Sequence, residues 1–441
     1  MTPLSKLCDA ADWFHPEIAR VIGEELHEIP RFHRKQWEFA MIFNALLRCR
    51  LLKGDRVGLS MGGGRERLLY AIGRCIRELV VTDLYGTGTT WDCARTDDPE
   101  TFIKGDKPFP VDDRKLTVLP MDMRELQFPD HTFDFCYSSC AIEHIGTRDD
   151  VIRHLNEVAR VLKDDGVYVL TTEIHYGKET IEDPNNFIFS PDFLNEIVAE
   201  SGLGSEEKCI AGITPHKANY PKPPNVKNLS FSGSESFASQ LLQELPHIQL
   251  LKGKHPYTSG LFLFRKRPSG RKRPAIRFIG LDPSREFMEA GVAEYRRLLD
   301  RSEVRIDPFS FMPGGISRYC TDRLIPPGDE NRGPDDVETI FHTDYYWWGS
   351  ERRRFEVVLH TAEGNGNHDL DLDIRVHGYK TLASSEVECA ASLHVPIRGE
   401  SRIGAKLEIT PDDSRCYAVL GKWRRGSCLF DRIKVTSAPA R

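Results

Sequence analysis

No stretch of this sequence approaches the ~20 uninterrupted apolar residues that a membrane-spanning helix needs, so no membrane span is expected. Met1 to Pro16 holds no basic segment followed by an apolar run, so no signal peptide is expected either. The eleven cysteines contain no CxxC pair, and Cys136 and Cys140 stand four apart. An odd, scattered set of this kind argues against a disulfide framework and lacks the spacing of a zinc site. It reads as reduced, mostly buried thiols in a cytoplasmic protein. Strong charge of one sign is missing too. Sixty Lys and Arg face 66 Asp and Glu, a net −6, so the chain as a whole is not a polyanion binder. No internal repeat or low-complexity tract stands out.

What is present is enough for two or three domains: 441 residues, 40% hydrophobic and 29% charged. Residues 1–53 read as a helical lead-in. The segment His33 to Leu52 places Trp37, Ala40, Met41, Phe43, Ala45 and Leu46 on one apolar face. Strand and helix patterns then alternate. Strands are expected at Arg56 to Met61, Leu79 to Leu84, Leu116 to Pro120, Phe133 to Ser138 and Val167 to Thr172. Helices are expected at Arg65 to Arg74 and Arg148 to Leu162, with Lys163 to Gly166 as a stop, and Ser259 to Arg265 reads as a late, antiparallel strand. That rhythm predicts a mostly parallel, doubly wound α/β sheet over residues 1–267.

Residues 268–335 read as a basic linker and a mixed connecting region, with one helix near Glu286 to Leu299. From 336 to 441, short strands between turns predict an all-β sandwich.

The chemistry concentrates after the strands. Ser60-Met61-Gly62-Gly63-Gly64 lies between a strand and a helix, where glycines let backbone approach a ligand and a helix start offers free N–H groups. Asp83 closes the second strand and is placed to accept both hydroxyls of a ribose, with Leu84 beside it. Asp122 and Met123 come after the third strand; Asp122 reads equally as a helix N-cap. Phe133 to His144 and Leu155 to Gly166 complete the series.

Taken together over residues 54–175, these motifs resemble the class I S-adenosylmethionine-dependent methyltransferases, which implies a Rossmann-like fold and S-adenosylmethionine as cofactor. The resemblance implies that Ser60, Gly62 and Gly64 face the methionine part. It places Asp83 and Leu84 at the ribose, Asp122 and Met123 at the adenine, and Ser138 and Ser139 beside the cofactor. Two positions depart from the family: Ser60 stands where an acid is usual, and Glu66 where a third glycine is frequent. His33 to Ala40 and the Gly-Arg-Glu end of the loop also resemble a bacterial subgroup associated with surface polysaccharides.

Proton removal from an acceptor would fall to His144, His175 or Glu143 near the strand ends. The insert from Asp83 to Leu116, with Tyr85, Trp91, Phe102 and Phe109, reads as a lid or a packing anchor, and residues 176–258 as the shaper of the acceptor pocket. Tyr345 to Gly349 and Lys422 to Arg424 set aromatics beside polar groups, a pattern that suits a sugar or, equally, a sandwich core.

The expected partner is a saccharide or a small-molecule acceptor. The basic run near Arg265 to Arg277 offers weak contact with an anionic membrane or a lipid-linked acceptor, or is a solvated linker. A homo-oligomer stays open. No nucleic acid is expected, because Ser138-Ser139-Cys140 replaces the Asn/Asp-Pro-Pro-aromatic motif of base methylation. The readings that compete are methyl transfer to a saccharide oxygen, methyl transfer to a small metabolite or nitrogen, and a catalytically lapsed binding protein.

Overall fold

The computed structural model describes residues 4–86, 95–182, 186–219, 221, 246–252, 254–266 and 275–299. Beyond these it describes 304–306, 311–312, 318–320, 323–325, 338–343, 351–361, 370–379, 387–397, 402–412, 415–425 and 428–437. The chain divides into two compact units. The first comprises Met1–Tyr220 and Tyr257–Met288; the second comprises Pro221–Pro256 and Glu289–Arg441.

The chain begins with β1 (Lys6–Leu7), α1 (Pro16–Arg20) and α2 (Arg34–Arg48). Then come β2 (Val57–Met61), α3 (Arg67–Cys75), β3 (Glu78–Asp83), α4 (Pro99–Lys104), β4 (Leu116–Pro120) and β5 (Phe133–Ser139). The next elements are α5 (Arg148–Val161), β6 (Leu162–His175), α6 (Pro191–Glu200), β7 (Leu203–Ser205) and β8 (Lys208–Ile210). The series closes with β9 (Leu250–Lys252), β10 (His255–Lys266), β11 (Arg277–Ile279) and α7 (Leu281–Leu299).

In the first unit the sheet order runs β4, β3, β2, β5, β6, β10, β1, β8, β11. β2 is parallel to both β3 and β5, and β4 and β6 extend that parallel run on either side. β10 is antiparallel to β6, with Leu261 opposite Thr171. The parallel core is mixed only at this end, as the sequence pattern predicts. Every residue of β2 and β5 is buried, so these strands read as unbroken apolar runs rather than alternating ones. The chain moves outward from β2 to β4 and returns to β5 on the other side of β2. The strand order therefore reverses between β2 and β5, and the carboxyl ends of those two strands open the crevice where such sheets hold ligands.

Helices cover the sheet by the logic of their apolar stripes. In α5, Val151, Leu155, Val158 and Ala159 are buried, and a capping box between Thr147 and Asp150 starts the helix. In α2, Trp37, Ala40, Phe43 and Ala45 are buried, and the Trp37 indole donates to Asp12 Oδ2 at 2.7 Å. Fully burying such an aromatic contributes about 1.5–3 kcal/mol. β6 begins earlier than the sequence pattern implies: Lys163 to Gly166, read there as a turn, fall within the strand, with a register irregularity opposite Phe133 to Phe135.

The second unit is antiparallel. β12 (Val304–Ile306), β14 (Arg318–Cys320), β15 (Arg323–Ile325), β17 (Arg353–Thr361), β20 (Arg402–Ile409) and β22 (Cys428–Ser437) form one sheet. β13 (Phe311–Met312), β16 (Glu338–Thr343), β18 (Leu370–Tyr379), β19 (Val387–Ile397) and β21 (Cys416–Arg425) form the other. Alternate residues are buried, such as Ala405, Leu407 and Ile409, so each sheet has one apolar face. Short strands between 304 and 325, within the stretch read as connecting, pair into these same sheets. Two- and three-residue strands carry too little periodicity to be seen in sequence.

Candidate functional site

The loops that leave β2, β4 and β5 meet at the switch point. Gly62 takes φ +69°, a left-handed conformation that costs other residues steric strain. A Cβ there would stand 2.4 Å from the Ala141 Cβ and 3.2 Å from the Met123 Cε. The loop after β2 thus touches the segments after β4 and β5. Gly63 donates its N–H to the Thr82 carbonyl at 3.0 Å, and the Tyr85 hydroxyl donates to the Gly63 carbonyl at 2.8 Å. Gly64 faces open space. Gly62→Ala is expected to cost about 1–3 kcal/mol from backbone strain and overpacking. Urea unfolding with cofactor titration checks it; an unchanged midpoint and affinity would count against a tight loop.

Ser60, assigned to this loop from the sequence, is buried beneath it, its hydroxyl 2.9 Å from where a Gly63 Cβ would lie. Asp83 ends β3 partly exposed, and its Oδ1 accepts the Leu84 N–H at 2.6 Å. Burial raises its carboxyl, and backbone N–H donors only partly offset this. The Leu84 side chain is exposed.

Asp122 accepts from the Arg124 N–H at 2.8 Å and from the Arg124 guanidinium through both oxygens. Burial pushes its carboxyl up, yet these bonds bring it below its usual range. It caps a turn rather than a helix. Met123 is buried, its carbonyl hydrogen-bonded to the ring of His154 at 3.0 Å. Ser138 and Ser139 end β5, both buried. Cys140 comes next at φ +49°, its N–H donating to the Thr171 carbonyl at 2.9 Å.

Of the candidate bases, Glu143 and His144 lie in the turn after β5, and His175 ends β6. Glu143 is fully buried; its Oε2 accepts from the Thr172 hydroxyl at 3.0 Å, and its Oε1 has no hydrogen-bond partner among the described residues. Burial, then the neighbouring Glu173 charge, push its carboxyl up to about 8. His144 is partly exposed, in the same short turn. His175 is buried at the end of β6, and its Nδ1 accepts the Gly177 N–H at 2.7 Å. That bond leaves the ring proton of a neutral His175 on Nε2, which makes the outer nitrogen a donor.

Sequence reading missed a second set, carried in by α2. Arg34 Nη2 contacts Glu173 Oε1 at 2.5 Å, and Arg34 Nη1 contacts Glu38 Oε1 at 3.3 Å and the Ser259 hydroxyl at 3.0 Å. Lys35 Nζ contacts Glu38 Oε2 at 2.7 Å, and the Ser139 hydroxyl donates to the same oxygen at 3.3 Å. The Asn186 amide donates to Glu173 Oε2 at 3.2 Å. Burial opposes ionisation of Glu38, but Lys35 and Arg34 overcome it and hold its carboxyl down at about 2. The available signal was a cluster of charges, Arg34, Lys35 and Glu38, at one end of a helix whose other positions are mostly apolar. Only the tertiary partners on β5, β6 and β10 give it meaning.

Trp91, Tyr345 to Gly349 and the basic run at 267–274 lie outside the described residues. Among the described residues, no group of three or more His, Cys, Asp or Glu is placed to hold a metal ion. Also among them, no helix is long and apolar enough to cross a membrane.

Residues 60–170 match a family model described as a methyltransferase domain. Among solved structures, the chain is similar to an S-adenosylmethionine-dependent methyltransferase from Mesorhizobium loti: 16% identity over 50% of this chain and 96% of that one, TM-score 0.31. It is also similar to a SAM-dependent methyltransferase from Aquifex aeolicus: 13% identity over 50% of this chain and 88% of that one, TM-score 0.28. No curated protein matches the sequence.

Proposed function

We propose that this chain, whose residues 60–170 are a methyltransferase domain with S-adenosylmethionine as its cofactor, methylates an oxygen of a saccharide. The observation that carries the reading is the meeting of the Gly62 loop, Asp83, Met123 and Ser138 at one switch point of a parallel sheet. The residues fit the cofactor. Gly62 and Gly64 give backbone access to its methionine part, and Ser60 supports that loop from below. Asp83, which accepts from backbone N–H groups at the start of the following loop, keeps acceptor capacity for ribose hydroxyls, with Leu84 alongside. Met123 offers an apolar edge to the adenine. Arg124 engages both Asp122 oxygens, so Asp122 shapes the adenine end chiefly by fixing its turn. Ser138 and Ser139 line the strand end.

When bound, the cofactor supplies an electrophilic methyl group on a sulfonium. The chain's part is alignment and the fate of one proton. We assign that proton to Glu143, with His144 beside it; His175, with its Nδ1 occupied, serves as a donor that orients the acceptor. Saccharide as acceptor is supported by the polar character of the adjacent strand ends, where Arg34, Glu38, Ser139, Asn186, Glu173 and Ser259 form a hydrogen-bonded network. An amine acceptor is the second reading, favoured by the acid pair Glu143 and Glu173.

Transfer of labelled methyl to a panel of oligosaccharides and amines tests the choice. Incorporation into sugars alone supports the first reading; incorporation into amines alone replaces it. Asp83→Ala is expected to weaken cofactor binding by roughly 1.5–3 kcal/mol, as for the loss of charge-assisted hydrogen bonds. Calorimetry reads it, and an unchanged affinity would remove Asp83 from the ribose.

A further inference from the structure

We propose that Glu66 is the carboxylate that receives the ammonium group of the cofactor's methionine end. This assignment rests on the cradle's being the S-adenosylmethionine site, and it names a residue that sequence comparison marks only as a missing glycine.

The cofactor brings a carboxylate, an ammonium and a sulfonium to the loop after β2. Backbone N–H groups suit the carboxylate. The ammonium needs an acid whose oxygens are not already committed. Most acids near the loop are committed. Arg124 engages both oxygens of Asp122, and Arg34, Lys35, Ser139 and Ser259 close around Glu38. Glu143 keeps one oxygen without a partner among the described residues, but it is fully buried and is the group assigned to the acceptor's proton. Asp83 stands at the end of β3, where the ribose is read. Ser60 is neutral and lies under Gly63.

Glu66 closes the loop. Its N–H donates to the Gly64 carbonyl at 2.8 Å, which fixes its backbone beside the open face of Gly64. It precedes α3 in extended conformation, φ −95° and ψ 136°, and its side chain makes no capping bond to that helix. The side chain is partly exposed, and no hydrogen bond or ion pair to its carboxylate is present among the described residues. Lys35 and Glu38 on α2 and Asp83 on β3 act on it electrostatically, and it acts in turn on Tyr85 and Tyr137. Burial raises its carboxyl, Lys35 pulls it back, and Glu38 and Asp83 raise it again, to about 8. An acid in such surroundings becomes an anion when a cation arrives beside it, and it gives up a proton in doing so.

Three ligands separate the ends of the cofactor: S-adenosylmethionine, S-adenosylhomocysteine with the same ammonium but no sulfonium charge, and 5′-methylthioadenosine with no amino-acid end. Calorimetric titration of the full chain, as wild type and as Glu66→Gln, is expected to show affinity falling roughly tenfold or more for the first two and unchanged for the third. Repeating it at pH 7 in two buffers of different ionisation enthalpy is expected to show the wild type releasing more protons per cofactor than Glu66→Gln. Equal losses for all three ligands, or none, overturn the assignment. If Glu66 only balances Lys35, the variant melts lower with all three affinities intact, and the proposal fails while the cofactor site stands. If the wild type binds none of the three, the cofactor reading falls and takes the proposal with it.

Discussion

Arg34→Ala is expected to destabilise the first unit by about 3–5 kcal/mol, the cost of leaving buried charge without its partner. Arg34 spans two carboxylates, Glu38 and Glu173, both buried, and also donates to Ser259. Its removal strands two anions in a low-dielectric site, leaving Lys35 as the cation and the Ser139, Ser259 and Asn186 donors to compensate. Arg34→Lys restores one charge but not the fork that reaches both acids, so it should recover part of the loss.

The pH dependence arises from Glu38. Its carboxyl is depressed in the folded state, so its stabilisation is fully present above the unfolded value near 4.5 and disappears as pH falls toward about 2. The gap between wild type and Arg34→Ala should therefore narrow on acidification, as the stranded Glu38 takes up a proton. Urea unfolding at pH 7 and pH 4, with hydrogen exchange of the α2 peptides, measures both effects. A loss below 1 kcal/mol at pH 7 would mean that the network is solvated.

Glu143→Gln should act on rate and on stability in opposite directions. A proton acceptor contributes about 10²–10⁴-fold to such a transfer, so under the proposed role the amide should lose that factor while the cofactor affinity stays near wild type. In the wild type the rate should rise with pH through about 8, where Glu143 ionises, and the variant should lack that inflection. For stability the sign reverses relative to Glu38. A carboxyl raised above its unfolded value stabilises most below about 4.5, and that contribution is lost as pH climbs toward 8. The wild type should thus melt lower at pH 8 than at pH 5, and the variant should show a smaller drop. A variant with undiminished transfer would move the base to His144.

The parallel sheet was readable because its strands are continuous apolar runs and its helices have clean stripes, as in β2, β5 and α5. The positions of Asp83 and the Gly62 loop at the strand ends were readable because the residues just beyond each strand's carboxyl end are fixed by local pattern. The network around Arg34 was not. Arg34 and Glu38 lie far from Glu173 and Ser259 in sequence, and a charged residue on a helix is ordinarily solvated. Asp122 was open between a cofactor and a local role, and its partner Arg124, two residues on, occupies both its oxygens. The second unit's early strands escaped because two or three residues show no period, and pairing alone identifies them.

Calorimetric titration of the full-length protein with S-adenosylmethionine tests the central claim most directly. Saturable one-to-one binding that weakens in Asp83→Ala is the predicted result. No binding at millimolar cofactor would contradict it and leave a protein that keeps the shape of the cradle without its use.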